Sequence, residues 1–156
     1  MKSQKELWLE GFNFLAMKKY DMAETALLIA LHAPDDNPID RHFAYNVLID
    51  LYYKRRDEQE DAVEKCIHYC KEDIARLTEF LKYDKRDNYG GKYYPPQCPS
   101  IQRLAIIYEK NGQYQEAIDL CNLGIRLGLK EDTKGGYQGR IEKLKKKLNE
   151  KIQKNI

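Results

Sequence analysis

The chain has 156 residues, of which 42% are hydrophobic and 33% are charged, and its formal net charge is +2 at pH 7. This length is enough for one domain with a buried core, and the small net charge excludes a global attraction to nucleic acid or to an anionic membrane. No apolar run approaches the ~20 residues that cross a bilayer, and the N-terminal stretch lacks the apolar core of a secretory signal. We therefore expect an intracellular, cytoplasmic protein that has no contact with a membrane.

Helical periodicity begins close to the N-terminus, in a first predicted hairpin at residues 4–37. Bulky and small residues alternate along one face of each helix, which allows two antiparallel helices to approach closely. The positions on these faces are Leu7, Gly11, Phe14, Ala23, Leu27 and Ala30.

A second, looser copy of this spacing occupies residues 38–75. Its markers are Tyr45, Leu48, Ile49, Tyr52, Ala62 and Cys66. The charged run KRRDEQED at 54–61 predicts a solvated turn between its two helices. The second of these helices is expected to continue from about Gln59 to Tyr83, because Ile74, Leu77 and Phe80 keep helical spacing.

A loop insertion is predicted at residues 84–98, where Gly90-Gly91 and Pro95-Pro96 stop any helix. Its segment YGGKYYPPQ has two interpretations. The tyrosines could form a recognition surface, since Tyr offers contact area with a polar end, or they could pack between the neighbouring hairpins. We favour the packing interpretation.

A third hairpin at residues 97–130 repeats the spacing of the first. Asn111-Gly112 separates its helices, because Gly tolerates the left-handed backbone that ends a helix. Ala105 and Ala117 are the expected contact points, and Gly124 would let the next helix come close. The full set of matching positions is Ile101, Leu104, Ala105, Tyr108, Ala117, Cys121 and Gly124.

The chain ends in a predicted amphipathic helix at residues 137–154, which would cover the apolar face of the last hairpin. Together with the three hairpins it gives seven predicted helices. Its apolar face carries Tyr137, Ile141, Leu144, Leu148 and Ile152.

These three copies resemble tetratricopeptide repeats (TPR), 34-residue helix-turn-helix units with the pattern W-x2-L-G-x2-Y…A-x3-F. No tryptophan occupies the first position of any copy, and the copies are unevenly spaced. The resemblance implies an all-α fold: an α-α superhelix of about three TPR-like hairpins with a C-terminal capping helix. A single domain over residues 1–156 would then include all of it.

The resemblance also implies a partner-binding groove, since in this family the first helix of each hairpin lines a groove that holds a peptide or a partner's helix. Trp8 and Phe12 lie one helical turn apart and are the sharpest indication of such a groove, although they could instead cover the edge of the first hairpin. The Lys/Asn/Arg clamp of chaperone-binding members does not appear residue for residue. The implied groove residues are Lys5, Trp8, Phe12 and Leu15 in the first copy, Phe43, Asn46, Asp50, Tyr53 and Lys54 in the second, and Gln102, Ile106, Glu109 and Lys110 in the third.

The sequence gives little indication of chemistry. His32, His42 and His68 are scattered, and no nucleophile with a base is apparent, so we expect neither an enzyme nor a cofactor. The four cysteines contain no C-x-x-C pair, which favours reduced, buried thiols over a metal site. KGGYQGR at 134–140 could cradle a phosphate before a helix, but no strand precedes it, and a flexible hinge is favoured.

The predicted function is a non-catalytic protein-interaction scaffold that binds a partner peptide or helix. The alternative is a self-assembling or regulatory helical subunit, with a homodimer formed through the C-terminal helix. A nucleic-acid adaptor is less favoured, because the lysine-rich end lacks aromatic residues for base stacking. The abundance of Lys, Ile, Asn and Tyr favours an AT-rich genome, such as that of a low-GC bacterium or its virus.

Overall fold

The computed structural model describes residues 1–84 and 96–156, and apart from one isolated bridge the regular secondary structure in these ranges is helical. The predicted all-α fold class is confirmed. Contacts divide the chain into two compact units, Met1–Asp84 and Lys85–Ile156. Most of the predicted loop at 84–98, including its tyrosines, lies outside the described residues, and the single-domain assignment stays a prediction.

The first unit contains five helices: α1 (Gln4–Ala16), α2 (Tyr20–Leu31), α3 (Pro38–Lys54), α4 (Ala62–Ala75) and α5 (Leu77–Tyr83). Side chains cap two of them, since Ser3 accepts from the amide of Glu6 and Asn37 accepts from the amide of Asp40. The helices α1 and α2 form one hairpin and α3 and α4 form a second, while α3 also contacts both helices of the first hairpin. The first two predicted hairpins are thereby confirmed.

The helix predicted from about Gln59 to Tyr83 is wrong in its continuity, because it breaks at Arg76. There the amide of Arg76 donates to the Asp73 carbonyl in a tight turn, and its guanidinium donates to the Glu72 carbonyl at 2.9 Å. The break redirects Leu77 and Phe80, both almost fully buried, so that α5 contacts α3. The described ranges therefore hold eight helices, one more than predicted.

The second unit contains α6 (Pro99–Lys110), α7 (Tyr114–Arg126) and α8 (Gly136–Lys154). The helices α6 and α7 form the third predicted hairpin, and α8 packs on α7 as the predicted capping helix. The segment between α7 and α8 is tied back to the start of the unit, because the amide of Lys130 donates to the Pro96 carbonyl at 2.9 Å.

Small residues lie where paired helices touch, as the repeat spacing predicts. Ala23 and Ala117 are fully buried. A Cβ atom on Gly11 would lie 2.5 Å from Cγ of Leu27, and a Cβ atom on Gly124 would lie 2.6 Å from the ring of Tyr137. The predicted role of Gly124, to admit the next helix, is thus confirmed.

The turns of the first and third hairpins share one backbone conformation. Gly112, two residues before Tyr114, has φ 75°, as its place in the Asn111-Gly112 turn predicts. Lys18, two residues before Tyr20, has φ 59° and is the one non-glycine residue with positive φ in the described ranges. Nothing in the sequence indicated this conformation for Lys18.

All four cysteines are buried, as predicted. Burial is the main cause that raises the pKa of the Cys121 thiol from 9.0 to about 11, so this residue stays protonated at neutral pH. None of the helices at 1–84 and 96–156 combines the length and the apolar character needed to cross a membrane.

Candidate partner-binding surface

The contact between α1 and α3 brings two of the four aromatic groove candidates, Trp8 and Phe43, together. Their ring centroids lie 5.1 Å apart with an interplanar angle of 33°. The indole Nε1 of Trp8 donates to Oδ1 of Asp40 at 2.9 Å. The half-buried indole also packs on the apolar cluster between α1, α2 and α3, which contains Leu7, Ala30, Ala33 and Ala44. Trp8 is therefore held from two sides, with part of its ring still exposed.

The other first-copy candidates occupy different environments along α1. Phe12 lies one turn after Trp8, and 53% of its surface is exposed. Lys5 is exposed as well. Leu15 is buried, so the assignment of Leu15 to a groove surface is corrected: its side chain is turned into the helical core and offers no area to a partner.

The second-copy candidates form a polar row along α3, at one-turn intervals. Asn46 is half-buried, and its Oδ1 atom has no hydrogen-bond partner among the described residues. The next turn carries Asp50, whose carboxylate pairs with Lys54 at 3.3 Å. Tyr53 lies beside this row, with the guanidinium of Arg56 4.2 Å from its ring centroid. This row of polar and charged side chains extends along α3 from the aromatic pair of Trp8 and Phe43.

The third-copy candidates lie in the second unit, and two of them already have partners there. Nε2 of Gln102 donates to Oε1 of Glu131 at 3.1 Å, and Nζ of Lys147 donates to Oε2 of Glu109 at 2.6 Å. Ile106 is half-buried and Lys110 is exposed. Gln102 and Glu109 thus hold the segments that follow α7 against α6. A partner would have to displace these hydrogen bonds.

The sequence analysis missed a buried pair in the first unit, formed by His42 and Asp73. Nδ1 of His42 lies 2.8 Å from Oδ1 of Asp73, and the imidazole stacks on Phe80 with centroids 3.9 Å apart. Nε2 of His42 is buried and has no hydrogen-bond partner within the described part of the chain. Both side chains are almost fully closed off from solvent, and the pair links α3 to α4. Thirty-one residues separate the two, and no local pattern could have linked them.

A second feature that the sequence analysis missed is an apolar cleft of about 450 Å³ between α1 and α2. Phe14, Met22 and Ile29 line it, and Ile29 is 53% exposed, as Phe12 is. The only sequence signal for it was the presence of apolar residues beyond the predicted contact face. It is a second apolar surface of the first unit.

A polar cleft of about 470 Å³ opens among α2, α3 and α4, but its charges are paired internally. Arg41 pairs with Asp36 and with Glu79. The hydroxyl of Tyr45 donates to Glu72 at 2.9 Å, and burial together with this hydrogen bond raises the tyrosine pKa. The cleft therefore has little net charge with which to attract an ionic ligand.

Comparisons of the chain with protein-family models, with curated proteins and with solved structures gave no match.

Proposed function

We propose that the chain is a non-catalytic protein-interaction module that binds a peptide or a helix of a protein partner on the face formed by α1 and α3. The observation that carries this proposal is the exposed Phe12 next to the anchored Trp8–Phe43 pair. Large aromatic side chains on rigid elements supply most of the energy in many protein interfaces. The resemblance to TPR proteins supports the same face, because their first helices bind the partner.

The chemistry of this face favours a partner with an apolar side chain followed by backbone or amide groups. The aromatic residues would bury the apolar side chain. Asn46, with its unused Oδ1, would accept a hydrogen bond from a partner N–H after a small side-chain rotation. The Asp50–Lys54 pair, which is partly exposed, would tolerate either charge at the periphery.

Phe12 and Ile29 are equally exposed, so substituting each of them distinguishes this face from the apolar cleft on the other side of α1. The partner would be isolated from the native source by affinity capture and its affinity measured by titration, with fluorescence of Trp8, the single tryptophan, as the signal. Phe12→Ala is expected to weaken binding by about tenfold or more, the usual size for an aromatic anchor. Ile29→Ala, on α2, is the matched control and should change the affinity by less than about twofold. Loss of binding in Ile29→Ala alone would reject the α1–α3 face in favour of the cleft.

Self-assembly through α8 is the second candidate function, because the apolar stripe of this helix extends beyond the core. Ile141 and Leu144 are buried, but Leu148 is only half-buried and Ile152 is 52% exposed. A homodimer would cover the outer part of this stripe. Light scattering tests it: a dimer that becomes a monomer in Ile152→Glu supports self-assembly, and a monomer at all concentrations removes it.

A further inference from the structure

We propose that the second unit contains a phosphate-binding pocket beside the first two turns of α8. The pocket has a volume of about 180 Å³ and is lined by Glu109, Thr133, Lys134, Arg140 and Lys143. That volume is several times the ~30 Å³ share of one water molecule, so a phosphate group fits with some of its hydration. This inference is independent of the α1–α3 face.

The charges around the pocket leave an excess of positive charge. The carboxylate of Glu109 is already neutralised by Lys147, and the hydrogen bond between them raises the pKa of that lysine. Two further lysines, Lys134 and Lys143, line the pocket, and neither forms an ion pair within residues 96–156. An anion in the pocket would be attracted by these two ammonium groups, which no carboxylate in residues 96–156 neutralises.

Arg140 contributes donors that the fold does not use. Its side chain is only 12% exposed, and it lies 3.5 Å from the carboxylate of the buried Glu131, at the outer limit of a hydrogen bond. Nη2 donates to Oγ1 of Thr133 at 3.2 Å, while Nε is buried with no partner in the described part of this unit. A planar guanidinium on the wall of the pocket has the shape and the charge that suit the oxygens of a phosphate.

The turn that positions these groups is tight, and the flexible hinge expected from the sequence stays a prediction. Gly135 and Gly136 have φ of 83° and 63°. A Cβ atom on Gly139 would lie 2.9 Å from the carbonyl oxygen of Lys134. The absence of a side chain on Gly139 lets the backbone of Lys134 approach the first turn of α8, and Arg140 follows directly on that turn. This turn therefore brings Lys134 and Arg140 to the same pocket.

The test uses the full chain at low ionic strength, with inorganic phosphate as the probe and calorimetry as the readout. Saturable binding with one site per chain is expected. Lys134→Gln/Lys143→Gln should weaken it by at least about tenfold, since each substitution removes a charge-assisted hydrogen bond to phosphate. Lys145→Gln/Lys146→Gln is the matched control: it makes the same change in net charge at two exposed positions of α8 outside the pocket and should leave the affinity within about twofold.

Two outcomes would overturn the proposal. One is the absence of saturable phosphate binding to the unmodified chain. The other is equal weakening in both double variants, which would mean that phosphate responds to overall charge and not to this pocket. Circular dichroism of each variant shows that the helices remain folded.

A second arm identifies the source of the phosphate group. A short peptide with one phosphoserine is compared with the same peptide unphosphorylated and with inorganic phosphate. If only the phosphorylated peptide competes with inorganic phosphate, the pocket accepts a phosphate monoester on a protein side chain. If neither peptide competes while inorganic phosphate still binds, the pocket accepts a free phosphate. Both results support the pocket, and they separate the two sources.

Discussion

Among single residues, Tyr137 shows how closely the fold constrains one contact, that of its ring with α7. Its ring lies over Gly124 of α7, only 2.6 Å from where a Cβ atom would be. Its hydroxyl is buried and has no hydrogen-bond partner among the described residues. The residue is therefore tightly packed along its ring, while its polar end is unsatisfied.

Gly124→Ala is expected to lower the free energy of unfolding by up to about 2 kcal/mol. The added methyl group must displace the Tyr137 ring, a cost of about 1–3 kcal/mol that the better helix propensity of Ala only partly offsets. Urea unfolding followed by circular dichroism measures it, with Asn122→Ala, an exposed change on the same helix, as the control. In a Tyr137→Ala background the cost should disappear, because the methyl group then has room. An equal cost in both backgrounds would show that Tyr137 is not the obstacle.

Individual residues could be predicted from the sequence where a spacing rule applied to them. Ala23, Ala117 and Gly124 were identified as contact points because small residues recur at fixed intervals, and the structure buries them. The His42–Asp73 pair could not be predicted, since it depends on how two helices distant in sequence meet. The assignment of Leu15 to the groove was wrong, because a position carried over from a family does not show which face of α1 the core covers.

Among the helices, α8 is amphipathic along its whole length, but the rest of the second unit covers only part of its apolar stripe. Leu144 is 1% exposed and Ile152 is 52% exposed, although both belong to the same predicted face. The sequence pattern predicts the stripe but not where its contacts with α7 stop. That limit decides which of its residues stabilise the fold.

Leu144→Glu and Ile152→Glu should therefore differ strongly in stability. Placing a carboxylate in the core at Leu144 should cost about 3 kcal/mol or more, because a buried leucine is lost and a charge is left without solvent. Ile152→Glu should change the free energy of unfolding by less than about 0.5 kcal/mol. Thermal or urea unfolding of the two variants measures the difference. Similar losses in both would mean that the end of α8 is as firmly packed as its middle.

The break between α4 and α5 shows why helix continuity was harder to predict than helix existence. Hydrophobic spacing continues through Arg76, and no glycine or proline marks a stop. The interruption depends on tertiary contacts, since Leu77 and Phe80 bury themselves only after the chain has turned toward α3. Local periodicity contains no information about that turn.

At the scale of the whole molecule, several buried acids keep their protons at unusually high pH. Burial is the leading cause that raises the pKa of Cys121 to about 11 and that raises the pKa values of Tyr45, Tyr52 and Tyr137. The unfolded chain would release these protons at the ordinary values, about 9 for the thiol and about 10 for the phenols. The folded state therefore binds more protons than the unfolded state above about pH 9, and stability must fall as the pH rises.

Tyr137→Phe tests this alkaline destabilisation. The variant removes a buried hydroxyl without a partner, so it should be at least as stable as the parent at pH 7. Above about pH 10 it should lose stability less steeply than the parent, by up to about 1.4 kcal/mol per pH unit, because one titrating group is gone. Tyr83→Phe, at an exposed position, should leave the slope unchanged. Parallel pH profiles for the parent and Tyr137→Phe would contradict the prediction.

The sequence could predict the all-α class, the three hairpins and the capping helix, because each depends on local periodicity. It could suggest the α1–α3 face only through resemblance, and it indicated the phosphate site only as the less favoured interpretation of KGGYQGR at 134–140. It missed the apolar cleft. Such cavities form where side chains from separate elements fail to fill space. Their existence depends on packing details that no single helix encodes.

Lys18 takes the same left-handed backbone that Gly112 takes in the third hairpin. For a lysine this conformation costs on the order of 1 kcal/mol, a cost that glycine avoids. The turn between α1 and α2 is therefore locally strained, and the surrounding contacts outweigh this strain. Position 18 is therefore the first place to change when a more stable variant of this chain is wanted. A search for helical hairpins that requires glycine in the turn would not detect this one.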